Sequence, residues 1–333
     1  MKRLEAEETK IKGMNMSRLC QLFGKSFQAY YQHGDSLSKQ MMTETMVVKF
    51  VKEIRALDPG MGPEKLHLLY QRRFGKDFEY MVGRDKMAEI ISKYGLTLRK
   101  TRRKPKTTDS THGLPTYPNL VKDVIPVKKN RIWVADITYI PIWLNVRSGK
   151  YYFCYLSLLT DYYTKEIIGW SVGESLGTRY CLEALEMALE RLCEEDNICL
   201  IHHSDRGVQY ASAPYVNMLK EAGIQISMTE CGNPKDNAVA ERVNGIIKNE
   251  LLKDFAFFSI EDVKRAVSRA VDFYNNERPH MSLNYMTPSQ AAKQDGRIAK
   301  RWVSYREKYL DSLHIEEGAT IFAQQTLDFI EQG

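Results

Sequence analysis

The sequence predicts an α/β protein in two parts: a mixed sheet laid down in the order β-β-β-α-β-α-β-α, preceded by an all-α helix-turn-helix region. Three observations point there. Apolar residues recur at helical spacing up to about residue 98. From 131 the texture changes to short apolar runs, three of them in succession before helices intervene. Charge divides at the same place: residues 1–130 carry 26 Lys+Arg against 14 Asp+Glu, and the rest carry 22 against 28. A basic front joined to a mildly acidic back predicts a polyanion binder attached to a part of different chemistry.

Residues 1–42 read as a short helical segment, with one helix, a turn at Gly24-Lys25-Ser26 and a second helix, too small to bury a core alone. A domain of three short helices is expected over 43–98. Met46, Val47, Phe50, Val51 and Ile54 are periodic in the first, which "DPGMGP" stops, and Pro63 starts the second, through about Arg73. The third, 83–96, turns Met87, Ile90, Ile91 and Tyr94 inward and ends at Gly95. Its basic outer face, including Arg84, makes the trio a candidate helix-turn-helix for DNA. Residues 99–128 read as a basic linker: six of the eight residues 99–106 are Lys or Arg, and Arg102, Arg103 and Lys104 are candidate phosphate contacts.

The core is expected over 129–290 and a helical tail without a readable motif over 291–333. "IWVADITYIPI" (132–142) is the first strand, and 151–173 a hairpin turning at Asp161–Lys165. A helix over 176–194, a buried strand over 198–204, a helix over 211–224, a strand over 225–230 and a helix over 234–253 complete the order.

At 333 residues and 43% hydrophobic content the chain is long enough for two domains. The six cysteines, at 20, 154, 181, 193, 199 and 231, form no C-x-x-C pair, so reduced core thiols are expected rather than a disulfide framework or structural zinc. No run approaches the roughly 20 apolar residues of a membrane span. The charged opening "MKRLEAEETK" is unlike a secretory signal, so a cytoplasmic protein is expected.

Three acids suggest a common site. Asp136 stands mid-strand in an apolar context where a lone charge is costly. Asp205 follows the fourth strand, at the end of the sheet where ligand sites gather. In "NPKDNAVAERVNGIIKNEL" (233–251), Pro234 with Asn233 or Asp236 marks a helix start. At 100° per residue Asn237, Asn244 and Lys248 fall within about 60° of Glu241, whereas Glu250 falls at about 180°. Glu241 is therefore the glutamate of the working face. Three converging carboxylates repel one another and raise their own pKa values. A pair of Mg²⁺ or Mn²⁺ ions removes the conflict and suits in-line phosphoryl transfer.

The stretches "WVADITYI", "TDYYTKEIIGWSV", "HHSDRGVQYAS", "GNPKDNAVAERVNGIIKNEL" and "YNNERPHMSLNYMTP" resemble the DDE transposases and retroviral integrases, which share a ribonuclease H-like core. They are most similar to the second-reading-frame (OrfB) transposases of the bacterial insertion sequence 3 family. So is the spacing, with 68 residues between Asp136 and Asp205 and 35 between Asp205 and Glu241. The resemblance covers about 130–290, and the front half also resembles that family. It implies a DNA transposase with two metal ions held by Asp136, Asp205 and Glu241. A water frees a 3′-OH at the element end, and that hydroxyl attacks another phosphodiester with no covalent protein intermediate. It further implies binding to terminal inverted repeats and target DNA, a first-reading-frame partner or fusion, and at least a dimer on DNA. It makes Asn237, Asn244 and Lys248, on the face of Glu241, candidate contacts to the DNA end, Lys248 to phosphate, and so too Arg242, which stands where many relatives have Ser. The His/Cys zinc module of retroviral integrases has no counterpart here.

Other polar residues have structural readings: His202 in the core, His203 open between core and site, Asp161 in a turn, and His280 packed on the core after the helix at 261–277. Two alternatives of other classes stand beside transposition: a DNA-binding regulator with a decayed core, and a ribonuclease H-like nuclease that never joins strands.

Overall fold

The computed structural model describes residues 15–98, 113–122, 124–192, 199–230, 237–299 and 308. The chain divides into two units. One takes residues 61–100 and those before Leu57; the other takes Leu57–Gly60 and the chain from Thr101 on.

The first unit is helical. Helix α1 (Met16–Leu22) is capped by Asn15, whose side chain accepts from Arg18 N. After a turn at Gly24, with φ +63°, α2 runs unbroken over Phe27–Leu57. This corrects the expectation of a short segment ending at 42 and a separate helix after it. Nothing between Asp35 and Leu57 breaks a helix, and Thr43 and Thr45 return their hydroxyls to the carbonyls of Lys39 and Met41. Pro63 opens α3 (Pro63–Phe74), and α4 spans Arg84–Lys93. Val47, Phe50, Val51, Leu66, Tyr70, Met87, Ile90 and Ile91 form the core. Tyr94, expected inward, is instead half exposed and donates its hydroxyl to Glu44 Oε2 at 2.7 Å.

The second unit is built on five strands: β1 (Ile132–Asn145), β2 (Lys150–Asp161), β3 (Ile167–Gly173), β4 (Ile201–Ser204) and β5 (Gln225–Met228), ordered β3-β2-β1-β4-β5. The first three are antiparallel; β4 and β5 run parallel to β1. This is the mixed sheet expected of a ribonuclease H-like core. Asp161 makes the β2–β3 turn, as expected, accepting from Thr164 N, Thr164 Oγ1 and Asn130 N. Helix α5 (Thr178–Leu189) lies so close to β3 that a Cβ on Gly169 would stand 2.0 Å from Ala184 O. The short α6 (Val208–Ala211) and α7 (Ala213–Glu221) cover the same face, sealing a core of Trp133, Leu159, Leu185, Tyr215 and Leu219.

Across the sheet lies α8 (Ala238–Ile246), followed by a π turn, Ile247–Leu251, where one continuous α-helix to 253 was expected. Ala240 joins Ile132, Val134 and Ile201 there, and so do Val121 and Val124. The described end of the expected linker is thus partly core: Leu120 N donates to Ser227 Oγ, and Met228 N to Pro118 O. Helix α9 (Ile260–Asn276) and the four-residue α10 (Pro288–Ala291) complete the unit. Cys154 and Cys181 are buried free thiols, as expected of core cysteines, while Cys193 and Cys231 lie outside the described residues.

Candidate active site

The pairing of β1 with β4 covers only Ile132–Val134. Asp136 follows two residues later, where β1 has left its parallel neighbour. Part of the residue reaches solvent, but its carboxyl is closely surrounded by protein. Oδ1 accepts from Ile137 N at 2.9 Å and Oδ2 from Asn244 Nδ2 at 2.7 Å. Burial first, then the charge of Asp205, push this carboxyl up to about 7; the Asn244 and Ile137 hydrogen bonds oppose that, and Glu241 adds the weakest push.

Asp205 stands just beyond β4, at the carboxyl end expected to carry the site. Its Oδ1 accepts from Gly207 N at 3.0 Å, and a Cβ at Gly207 would approach that oxygen to 2.9 Å. Glu241 lies in the first turn of α8, on an exposed residue whose carboxyl is raised by burial. The three predicted acids come from β1, the loop after β4 and α8, and the charges of Asp205 and, most weakly, Glu241 reach Asp136. Among the described residues no three His, Cys, Asp or Glu side chains cluster tightly enough to form a ready metal cage. Their chemistry nevertheless fits a hard divalent cation: all donors are carboxylate oxygens, and their mutual repulsion is what such a cation relieves.

The rest of the Glu241 stripe needs correction. Asn237 and Asn244 are buried, not exposed DNA contacts. Asn237 caps α8 and donates Nδ2 to Ala135 O at 2.9 Å, while Asn244 grips Asp136. The angular reading found the right side of the helix, but that side lies against β1. Lys248, on the π turn, holds its Nζ 6.0 Å from the centre of the Tyr139 ring. Arg242 is largely exposed, 3.6 Å from Glu250 Oε1. Arg84 is exposed, with Nε 3.0 Å from Asp85 Oδ1. Arg102, Arg103 and Lys104 lie outside the described residues.

Glu250 has a different role. It pairs with Arg278, which also reaches Asp58 at 3.3 Å; Asp58 and Arg278 are 0% and 1% exposed. Gly60 N caps the Glu250 carbonyl at 3.0 Å, and a Cβ there would stand 2.5 Å from Glu250 Cα. Arg278 was visible in "RPH", but its partner lies 220 residues away and left no local signal. His202 is a core residue bonded to the Tyr215 hydroxyl at 2.9 Å, and burial lowers its pKa to about 3. His203 is also buried, with Nδ1 2.8 Å from Ser227 Oγ. His280 packs edge-on against Tyr274.

Two integrase core domain families match, over residues 126–234 and 222–288. The insertion element IS600 uncharacterized 31 kDa protein of Shigella sonnei is 32% identical over 299 residues, 87% of this chain and 98% of that one. The chain belongs to the insertion sequence 3 family of DDE transposases. A Mycobacterium tuberculosis protein provisionally named transposase for insertion sequence element IS986/IS6110 is 34% identical over 266 residues, 78% of this chain and 91% of that one. The HTLV-2 integrase catalytic core domain, solved in complex with magnesium, is 20% identical, with a TM-score of 0.38 over 50% of this chain and 98% of that one. Membership of this transposase family makes the chain a DNA-cutting and DNA-joining enzyme with a polynucleotidyl transferase core. No helix among the described residues is long and apolar enough to cross a membrane.

Proposed function

We propose that the transposase cuts at the ends of its insertion sequence and joins the freed 3′-OH directly to another phosphodiester, with Asp136, Asp205 and Glu241 as its catalytic acids. The observation that carries this is the shared field of these acids, with Asp136 gripped on both oxygens. Asn244 and Ile137 N aim the Asp136 carboxylate, Gly207 N does the same for Asp205, and Asn237 ties the Glu241 helix to β1. The three acids would hold two Mg²⁺ or Mn²⁺ ions, which when bound supply positive charge to the attacking and leaving oxygens. Lys248 and Arg242 lie on the same helical segment as Glu241 and suit DNA phosphates, as do Arg84 and the basic run with Arg102, Arg103 and Lys104.

The substrates are the terminal inverted repeats and a target duplex in the bacterial cytoplasm. A first-reading-frame protein or fusion assists, and at least two protomers act together, since two ends must be brought together. Purified protein with repeat duplexes and Mg²⁺ tests the reading. Nicked and joined products should persist in Glu250→Gln and vanish in Glu241→Gln. Nicking without joining, even with the partner added, points to a nuclease. Binding without cleavage points to a decayed regulator.

A further inference from the structure

The β1–β2 hairpin carries a row of aromatic side chains with no part in the chemistry above. In the antiparallel register Tyr139 faces Tyr155, Pro141 faces Phe153 and Trp143 faces Tyr151. Alternation sets these on one side of the hairpin, while Ile140, Ile142, Cys154 and Leu156 fill the core on the other. The rings touch in sequence. Tyr155 to Tyr139 is 5.3 Å between centroids, Tyr139 to Phe153 is 5.8 Å, and Phe153 to Tyr151 and Tyr151 to Trp143 are each 5.2 Å. All five remain in contact with solvent, and Tyr151 is 48% exposed. By the same alternation Asp136 lies on the other side of β1, so the row reaches the site only at the strand edge, where the Tyr139 ring lies 6.0 Å from Lys248 Nζ, and it runs outward to the hairpin tip. Between Ile137 and Thr160 the chain has no acid and two cations, Arg147 and Lys150, both exposed at the tip.

We propose that this aromatic face is a stacking platform for unpaired DNA nucleotides lying beside the scissile phosphate. The proposal rests on the transposase reading and adds to it a binding surface for single-stranded DNA. Aromatic faces accept any base, which suits flanking DNA of arbitrary sequence. Lys248 at one end and Arg147 with Lys150 at the other match the phosphates of a strand crossing the row. A polyanion also explains why a half-exposed apolar face carries cations at its ends and no carboxylate.

The test uses the full chain and a terminal-repeat duplex that either ends blunt or carries a short single-stranded extension containing 2-aminopurine. Wild type should bind the extended duplex about tenfold more tightly than the blunt one and quench the probe. Tyr151→Ala and Phe153→Leu should lose that preference and the quenching while binding blunt duplex as before, and Tyr151→Trp should keep both. Equal wild-type affinity for the two duplexes without quenching, or equal losses on both in the variants, overturns the platform. So does a change in sedimentation of DNA-free protein in Tyr151→Ala with wild-type quenching, which would assign the face to a second copy of the chain. Strand joining measured on the same wild-type sample separates the two readings. Joining without quenching removes only the platform, whereas quenching without joining, even with the first-reading-frame partner added, removes the strand-joining reading and leaves the platform.

Discussion

Replacing Asn244 by Ala deletes one hydrogen bond to a carboxylate and little else. The bond, Nδ2 to Asp136 Oδ2 at 2.7 Å, favours the ionised form of an acid that burial and Asp205 already push up to about 7. A hydrogen bond to a charged group contributes about 1.5–3 kcal/mol, so its loss lowers the ionised fraction of Asp136 about tenfold or more at neutral pH. The loss in overall stability should be small. Asn244 Oδ1 is buried without a hydrogen-bond partner, and truncation relieves that cost, about 1–3 kcal/mol, while giving up the bond. Protons and Mg²⁺ compete for this carboxylate, so the expected signature at limiting Mg²⁺ is a nicking rate whose rise with pH shifts toward alkaline values, with a nearly unchanged melting temperature and with activity recovered at higher pH or higher Mg²⁺. Nicking rate against pH, with thermal melts on the same preparations, checks this. A uniform fall in rate at every pH, with the profile unmoved, would refute the role of Asn244 in setting the Asp136 charge.

In metal-free protein the raised Asp136 carboxyl stabilises the fold fully below its unfolded value of 3.8, and that contribution is lost as pH rises through about 7. Melts in chelator should fall over that window by at most about 4 kcal/mol of stability, and Mg²⁺ should restore it; pH-independent melts would contradict the assignment. Arg278→Ala removes the arginine partner of the buried Asp58 carboxylate and should cost about 3–5 kcal/mol in urea unfolding, and a cost well under 1 kcal/mol would show the cluster to be unimportant. Gly169→Ala forces a methyl against the Ala184 carbonyl, and a loss of about 1–3 kcal/mol is expected in the same assay. An unchanged midpoint would mean that α5 can move away freely.

The order of elements was readable because strand and helix periods differ, and because "TDYYTKEIIGW" needs a turn where Asp161 can accept three donors. Glu241 was separable from Glu250 by helical angle alone. Burial was not separable in the same way. Helical angle says which residues share a side, not what that side meets, so Asn237 and Asn244 were expected to face DNA when they face β1. The π turn left no local signal, and the groups that meet its Glu250, Gly60 N and Arg278, come from remote parts of the chain. The continuity of α2 through residue 42 was missed because a drop in apolar periodicity there reflects exposure of the helix, not its end.

The Asn244–Asp136 contact joins residues 108 apart in sequence, and Asn237–Ala135 joins residues 102 apart. Contacts this distant close long loops, whose entropy must be offset by the packing of the strands and helices between them. A chain interrupted between Asp205 and Asn237 holds both aspartates, yet it lacks Asn244, which grips the first, and Glu241. If the three acids act as proposed, chains that stop short of α8 should leave DNA uncut, and the capacity to break a genome arrives only once that helix has been made.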